Sequence, residues 1–199
     1  MRVSAIAASK RVRLALATGL MAMAPAVLAG PILGSTWYEF GFTDVGVSAT
    51  GCDPADPGGP FCIPSSGTPT TFLDAPPWTF TALSSTALTV TDAFTSGDRF
   101  EVFDFGISIG FTSLPVAGAF VDCGDDPAVC LATAGMSVGT FVLAAGDHSI
   151  TLSPILSPDG GGAGYLRIAA AAVPEPGTLA LAMLGLLSLY PLRLRRRQS

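Results

Sequence analysis

Few side chains in this 199-residue chain could carry acid–base or nucleophilic chemistry. His148 is the single histidine, so a Ser–His–Asp triad or a Cys–His pair would have to use it. It follows the turn-forming pair Gly146–Asp147 and alternates in phase with Ile150 and Leu152, which predicts a side chain facing the core at the start of a strand. We therefore interpret His148 as structural and expect no catalytic residue and no enzymatic activity.

Carboxylates offer a second kind of chemistry, because glycoside hydrolysis needs two acids that flank a sugar. Glu101 and Asp104 fall on opposite faces of one predicted strand, and no other pair stands out. Two groups of aspartates lie in turn-rich stretches, namely Asp53 with Asp56 and Asp122 with Asp125 and Asp126. Their spacing does not match a calcium-binding loop, and aspartate favours turns by bonding to its own backbone. We expect these groups to be turns, with no metal and no cofactor.

The four cysteines fall into two local pairs, Cys52 with Cys62 and Cys123 with Cys130. Four cysteines allow three pairings, but each local pair brackets a stretch rich in Gly, Pro and Asp. Zinc sites favour shorter spacings and often use histidine, so metal binding is the weaker interpretation. Two disulfides of this size would stabilise the fold by about 2–3 kcal/mol each, and they require an oxidising compartment.

The C-terminus has three parts in a fixed order. Val173, Pro174, Glu175 and Pro176 come first, an apolar run covers residues 179–192, and Arg193, Arg195, Arg196 and Arg197 follow. The prolines keep the first part extended, the apolar run can enter a bilayer as a helix, and the arginines hold that end in the cytoplasm. The run has 14 residues, fewer than the roughly 20 of a stable span, which favours a temporary anchor.

This order of motif, apolar helix and basic cluster resembles the PEP-CTERM sorting signal of surface proteins from Gram-negative bacteria. The resemblance covers residues 173–199. It implies that an exosortase processes the chain near Val173–Pro176, and that the host makes an exopolysaccharide that the exported part contacts. The alternative is an ordinary C-terminal membrane anchor that is not cut.

The N-terminus independently predicts export. A basic stretch precedes an apolar segment, Leu14–Ala24, and Val27-Leu28-Ala29 supplies the small residues that signal peptidase recognises. The predicted domains are a signal peptide (1–29), an exported domain (30–172) and a sorting signal (173–199). The basic residues at both chain ends place both ends inside, so the protein would be anchored transiently in the inner membrane and then reach the cell surface or the extracellular space.

The exported part is strongly acidic. Residues 30–172 hold two arginines, no lysine and fourteen acids, which gives a formal charge of −12. A nucleic-acid partner is not expected, because a phosphate backbone requires a basic surface.

Alternation of apolar residues with Thr, Ser and Gly predicts strands almost throughout the exported part. The predicted strands are 37–42, 78–83, 88–91, 99–105, 107–112, 141–145, 149–152 and 164–170. One short helical turn is predicted at 126–134, and the glycine-rich stretch 160–164 is predicted to be a hairpin connection. The fold class is therefore an all-β antiparallel β-sandwich, jelly-roll-like, flanked by the signal peptide and a single transmembrane sorting helix.

Two functions from different classes fit these features. The first is a non-enzymatic surface or extracellular-matrix protein, and the alternative is a secreted hydrolase that acts on polysaccharide. Trp37, Tyr38, Trp78 and Tyr165 bear on glycan binding, because together on the surface they would form a stacking platform for sugar rings. Their positions on alternating strands predict that they lie in the core instead.

Overall fold

The computed structural model describes residue 32, residues 34–116 and residues 121–171. The predicted signal peptide, the sorting motif, the apolar run 179–192 and the arginine cluster lie outside these residues. Within the described part, no helix is long and apolar enough to cross a membrane.

The described residues form nine strands and one short helix. In chain order these are β1 (Trp37–Phe42), β2 (Thr70–Phe72), β3 (Trp78–Ala82), β4 (Thr86–Asp92), β5 (Arg99–Asp104), β6 (Ile107–Phe111), α1 (Pro127–Ala132), β7 (Val138–Leu143), β8 (Gly146–Leu156) and β9 (Gly162–Ala170). One sheet has the order β2-β1-β9-β4-β7 and the other β3-β8-β5-β6. Every neighbouring pair is antiparallel except β1 with β2. The prediction of an all-β fold dominated by antiparallel sheets is confirmed.

Alternate side chains from both sheets meet in one apolar core. The ring of Phe40 on β1 lies 5.8 Å from that of Trp78 on β3 and 5.3 Å from that of Phe100 on β5. Phe42 approaches Phe100 at 5.4 Å, with the two rings edge to face. Because β1 belongs to one sheet and β3 and β5 to the other, these aromatic pairs hold the sheets together.

One turn prediction was wrong and a second extended too far along the chain. Gly146–Asp147 opens β8 rather than forming a turn, since both residues pair with β3 and the Thr81 hydroxyl donates a hydrogen bond to the Asp147 carboxylate at 2.7 Å. Gly160 and Gly161 lie in the connection between β8 and β9 as predicted, but Gly162–Gly164 lies in β9. A Cβ atom on Gly164 would lie 2.4 Å from the Phe40 ring, so glycine is required there because an aromatic ring crosses the strand.

Strand β2 was not predicted, because three residues are too few to show an alternating pattern. It forms by pairing in parallel with β1, with Thr70 opposite Trp37. The predicted helical turn at 126–134 is confirmed by α1. Its N-cap is Asp126, whose side chain accepts a hydrogen bond from the Ala128 backbone at 2.9 Å.

A second, smaller apolar cluster covers the other face of the five-stranded sheet. Trp37 and Tyr165 contribute from the strands, and Cys123, Cys130 and Met136 contribute from the segment around α1. Trp37 is one residue out of phase with Tyr38 and Phe40, which point into the core between the sheets. This sheet is therefore buried on both faces in this region.

Candidate functional site

The predicted sorting tail follows a central strand of the five-stranded sheet. Strand β9 ends at Ala170, and the Ala171 backbone donates a hydrogen bond to the Ser85 carbonyl at 3.1 Å. The other end of the described chain lies at the same end of the molecule, since the Ser35 backbone donates to the Ile168 carbonyl at 2.7 Å. The first and last parts of the described chain therefore lie side by side.

An open groove of about 670 Å³ lies beside these chain ends. It is lined mainly by small and apolar side chains from the segment around Ile32, from β3 and from the end of β9. Leu83, between β3 and β4, is 95 % exposed at its rim.

His148 lies next to Phe80, which lines this groove, and the two rings are 4.9 Å apart. Its Nδ1 lies 2.7 Å from the Asp104 carboxylate and its Nε2 lies 3.1 Å from the Ala144 carbonyl. The other Asp104 oxygen accepts a hydrogen bond from the Ser149 backbone at 2.9 Å. Both ring nitrogens are therefore occupied by protein groups, and the side chain is buried as predicted.

The cysteines form two disulfides, Cys52–Cys62 and Cys123–Cys130, each with an S–S distance of 2.06 Å. This pairing agrees with the local pairs favoured by the sequence. All four side chains are buried. Each disulfide therefore closes a loop whose sulfur atoms face the protein rather than solvent.

The two disulfide loops are joined to each other over the outer face of the five-stranded sheet. We call residues 52–68 and 122–130 together the roof. The Ser66 backbone and hydroxyl donate hydrogen bonds to the Asp125 carboxylate at 3.1 and 2.8 Å. The Tyr165 hydroxyl, on β9, donates to the Asp125 carbonyl at 3.0 Å. Hydrogen bonding to Thr68 lowers the pKa of Asp126.

Beneath the roof lies Glu39 of β1, which is 0 % exposed. Neither carboxylate oxygen has a partner at hydrogen-bond geometry among the described residues. Burial raises the pKa of Glu39 from 4.5 to about 7; the nearby Ile63 backbone N–H opposes this shift and the Asp125 carboxylate adds to it. Tyr165 lies opposite Glu39 in the sheet, and burial, together with these acids, raises its pKa as well.

A second buried acid, Asp92, lies at the end of β4 and is also 0 % exposed. One of its oxygens accepts a hydrogen bond from the Ala93 backbone at 2.9 Å, and the other accepts from Gly97 and Asp98, both at 3.1 Å. Burial, followed by the nearby Asp98 carboxylate, raises the pKa of Asp92. Burial likewise raises the pKa of Asp98. The carboxylates of Asp92 and Asp98 are therefore protonated at a higher pH than those of ordinary aspartates.

The aspartates of the turn-rich stretches bond to nearby backbone, as the turn interpretation predicts. Asp56 accepts hydrogen bonds from Gly51 and Gly58 at 2.9 Å each, and Asp122 accepts from Gly124 at 2.7 Å. Asp125 was not foreseen in its role, since it joins the two disulfide loops rather than capping its own turn.

The aromatic prediction is confirmed, because Trp37, Tyr38, Trp78 and Tyr165 are all buried. Those four side chains do not form a sugar-stacking platform. Glu39 and Asp92 were missed as buried acids. The signal for Glu39 was its place inside the aromatic stretch Trp-Tyr-Glu-Phe-Gly-Phe, where a charged residue is unusual.

Comparison with known proteins identifies the tail. Residues 172–197 match the family model described as the PEP-CTERM protein-sorting motif. The match includes Val173–Pro176, the apolar run and the arginine cluster, and it confirms the prediction of a PEP-CTERM sorting domain-containing protein. The motif marks the chain as a substrate that an exosortase sorts, through export and the membrane, to the cell surface. No curated protein and no solved structure matches the chain.

Proposed function

We propose that this protein is a non-enzymatic component of the cell surface or extracellular matrix, built on a jelly-roll-like sandwich. The observation that carries the proposal is the sorting motif at 172–197, which begins two residues after β9 ends at Ala170. The exported domain therefore passes directly into the signal that delivers it.

The two ends of the domain support this route. In our proposal signal peptidase cuts after Ala29, and the short apolar run holds the chain in the inner membrane until an exosortase cuts within residues 173–177. The described residues begin and end at the same end of the domain, where Ser35 bonds to Ile168. Such an arrangement leaves the opposite end and the outer sheet faces pointing away from the membrane.

The surroundings of His148 and of the buried acids support a non-enzymatic role. Both ring nitrogens of His148 are bound by Asp104 and Ala144, which leaves neither free to act as a general base. The acids with raised pKa, Glu39, Asp92 and Asp98, are buried rather than exposed in the groove. A polysaccharide hydrolase would need two acids that reach a sugar from both sides.

We further propose that the exported domain contacts exopolysaccharide, on the strength of the sorting route. The four aromatic residues considered from the sequence are in the core, so this contact would use other groups. With a formal charge of −12, the domain suits a neutral glycan better than an anionic one.

Intact-mass analysis of the protein recovered from the cell-surface fraction tests the proposal. The expected product begins at Gly30, lacks Leu179–Ser199 and has all four cysteines oxidised. A variant with Val173–Pro176 replaced by alanine should stay uncut in the inner membrane, whereas a matched Thr178→Ala variant should be processed normally. Wild-type protein that keeps its full tail in the inner membrane would overturn the proposal.

A further inference from the structure

One group of potential metal ligands among the described residues combines a carboxylate with two sulfur atoms. An oxygen of Glu39 and the sulfur atoms of Cys52 and Cys62 all lie within 4.8 Å of one another. All three residues are buried beneath the roof. In the oxidised protein the sulfur atoms are bonded to each other, and a disulfide is a poor ligand compared with two thiolates.

The Glu39 carboxylate supplies an independent reason to expect a ligand at this place. It is completely buried; the Ile63 backbone N–H is nearby, but neither oxygen has a partner at hydrogen-bond geometry among the described residues. Burying a polar group without a partner is costly, so native proteins rarely keep one without a reason. A cation bound beside Glu39 would supply the missing partner.

We propose that, after reduction of the Cys52–Cys62 disulfide, Glu39, Cys52 and Cys62 bind a thiophilic divalent cation such as Zn²⁺. A dithiol reductant donates two electrons and two protons to the disulfide and is itself oxidised to a disulfide. The two thiols and the carboxylic acid then release their protons as the cation binds. The product is a buried site in which three protein groups, two thiolates and one carboxylate, hold the cation.

The distances fit this chemistry. Zn–S bonds of about 2.3 Å in a tetrahedral site place two sulfur atoms about 3.8 Å apart, and carboxylate oxygens bind at about 2.0–2.2 Å. The three ligand atoms already lie close enough for such a site with only local movement of the sulfurs after the S–S bond breaks.

The loop that carries the two cysteines is also held by contacts other than the disulfide. The Cys52 backbone donates a hydrogen bond to the Leu73 carbonyl at 2.9 Å, and the Asp53 backbone donates to the Pro60 carbonyl at 3.0 Å. The Asp56 carboxylate ties the loop to the Gly51 backbone at 2.9 Å. These bonds keep both cysteines near β1 when the disulfide is open.

The second disulfide provides a control within the same chain. Cys123 and Cys130 are also buried and also close in sequence, but no carboxylate or histidine joins them in a three-ligand group within the described part of the chain. Both disulfides are treated with the same reductant, but among the described residues only Cys52 and Cys62 have a third potential ligand, Glu39, beside them.

The test is thiol protection measured on the full chain purified in detergent. The protein is reduced with a dithiol, the reductant is removed, and alkylation of each cysteine is followed by mass spectrometry with and without Zn²⁺. We expect Zn²⁺ to slow alkylation of Cys52 and Cys62 at least about tenfold more than that of Cys123 and Cys130. Equal protection of the two pairs, or none, would overturn the proposal.

A Glu39→Gln variant tests the carboxylate itself. Glutamine keeps the size of the side chain but is a poor zinc ligand, so the zinc concentration that gives half-protection should rise by about tenfold or more. Cd²⁺ titration with detection of the sulfur-to-metal absorption band gives a second readout that does not depend on alkylation. If Glu39→Gln binds either cation as tightly as wild type, Glu39 is not a ligand and the proposal fails.

Discussion

Glu39 and Asp92 are both carboxylic side chains that the fold removes completely from solvent, yet their surroundings differ. Asp92 is surrounded by three backbone N–H donors that form the turn between β4 and β5. Glu39 lies under the roof with no partner at hydrogen-bond geometry among the described residues. Burial raises the pKa of both, so desolvation outweighs the N–H donors even at Asp92.

Asp92 is needed for the local structure, whereas Glu39 is buried without being needed for it. The three N–H groups around Asp92 would be unsatisfied without it, so the turn depends on its carboxylate. Nothing described in the fold depends on the Glu39 oxygens in this way. Glu39 should therefore be replaceable at little cost, whereas Asp92 should not.

Removing Asp92 should give the largest effect. We expect Asp92→Ala to lower the free energy of unfolding by about 3–5 kcal/mol, because three N–H groups, two of them in buried hydrogen bonds, lose their acceptor. Denaturant unfolding followed by the fluorescence of the buried tryptophans measures this. Asp44→Ala is the matched control, since Asp44 bonds to the Val45 backbone on the surface and its loss should cost less than about 1 kcal/mol. Similar losses for the two variants would contradict the structural role of Asp92.

The next largest effect should be a pH dependence that comes from Glu39. Its pKa is about 7 in the folded protein and 4.5 as a free side chain, so folding favours the protonated form. Its contribution is fully present below pH 4.5 and is lost as the pH rises through about 7, by on the order of 3 kcal/mol. Glu39→Gln should remove this part of the decline.

Unfolding curves for wild type and Glu39→Gln between pH 4 and pH 9 measure the effect. The two proteins should differ most above pH 7, where the variant is the more stable of the two. Burial also raises the pKa values of Asp92 and Asp98, so a further decline with rising pH should persist in the variant. Parallel curves for the two proteins would show that Glu39 does not titrate in this range.

Removing the first disulfide should reduce the pH dependence that Glu39 causes, because this disulfide is part of the roof that covers its carboxylate. We expect C52S/C62S to lose about 2–3 kcal/mol at pH 5, from the added freedom of the unfolded chain. At pH 8 the loss should be smaller, because a looser roof lets water reach the charged Glu39. C123S/C130S serves as the comparison, with an expected loss of similar size at pH 5. Losses of C52S/C62S that do not change with pH would separate Glu39 from this disulfide.

The sequence was sufficient where local pattern determines structure. Alternation and aromatic content predicted the positions of eight strands, and the same pattern predicted that Trp78 and Tyr38 lie in the core. The cysteine pairs could be anticipated because each closes a short turn-rich loop. The sorting signal could be identified because its parts follow one another along the chain.

The buried acids could not be foreseen in the same way. Glu39 occupies the phase of β1 that points away from the core between the sheets, a phase that normally predicts exposure to solvent. It is buried because two loops meet over it, and their contact joins Ser66 to Asp125, 59 positions apart in the sequence. Similarly, the sequence predicted that Gly164 begins a strand but not why this residue is glycine, because the Phe40 ring that requires it comes from β1.

The smallest predicted effect concerns the contact between the two loops. Ser66→Ala removes one exposed hydrogen bond to the Asp125 carboxylate and should cost about 0.5–1 kcal/mol. A double-mutant cycle with Asp125→Asn measures the coupling between the two side chains free of their other contacts. If the contact closes the roof, Ser66→Ala should also shift the pH dependence caused by Glu39 towards that of a solvated acid. A loss of stability with no such shift would mean that the first disulfide loop alone shields Glu39.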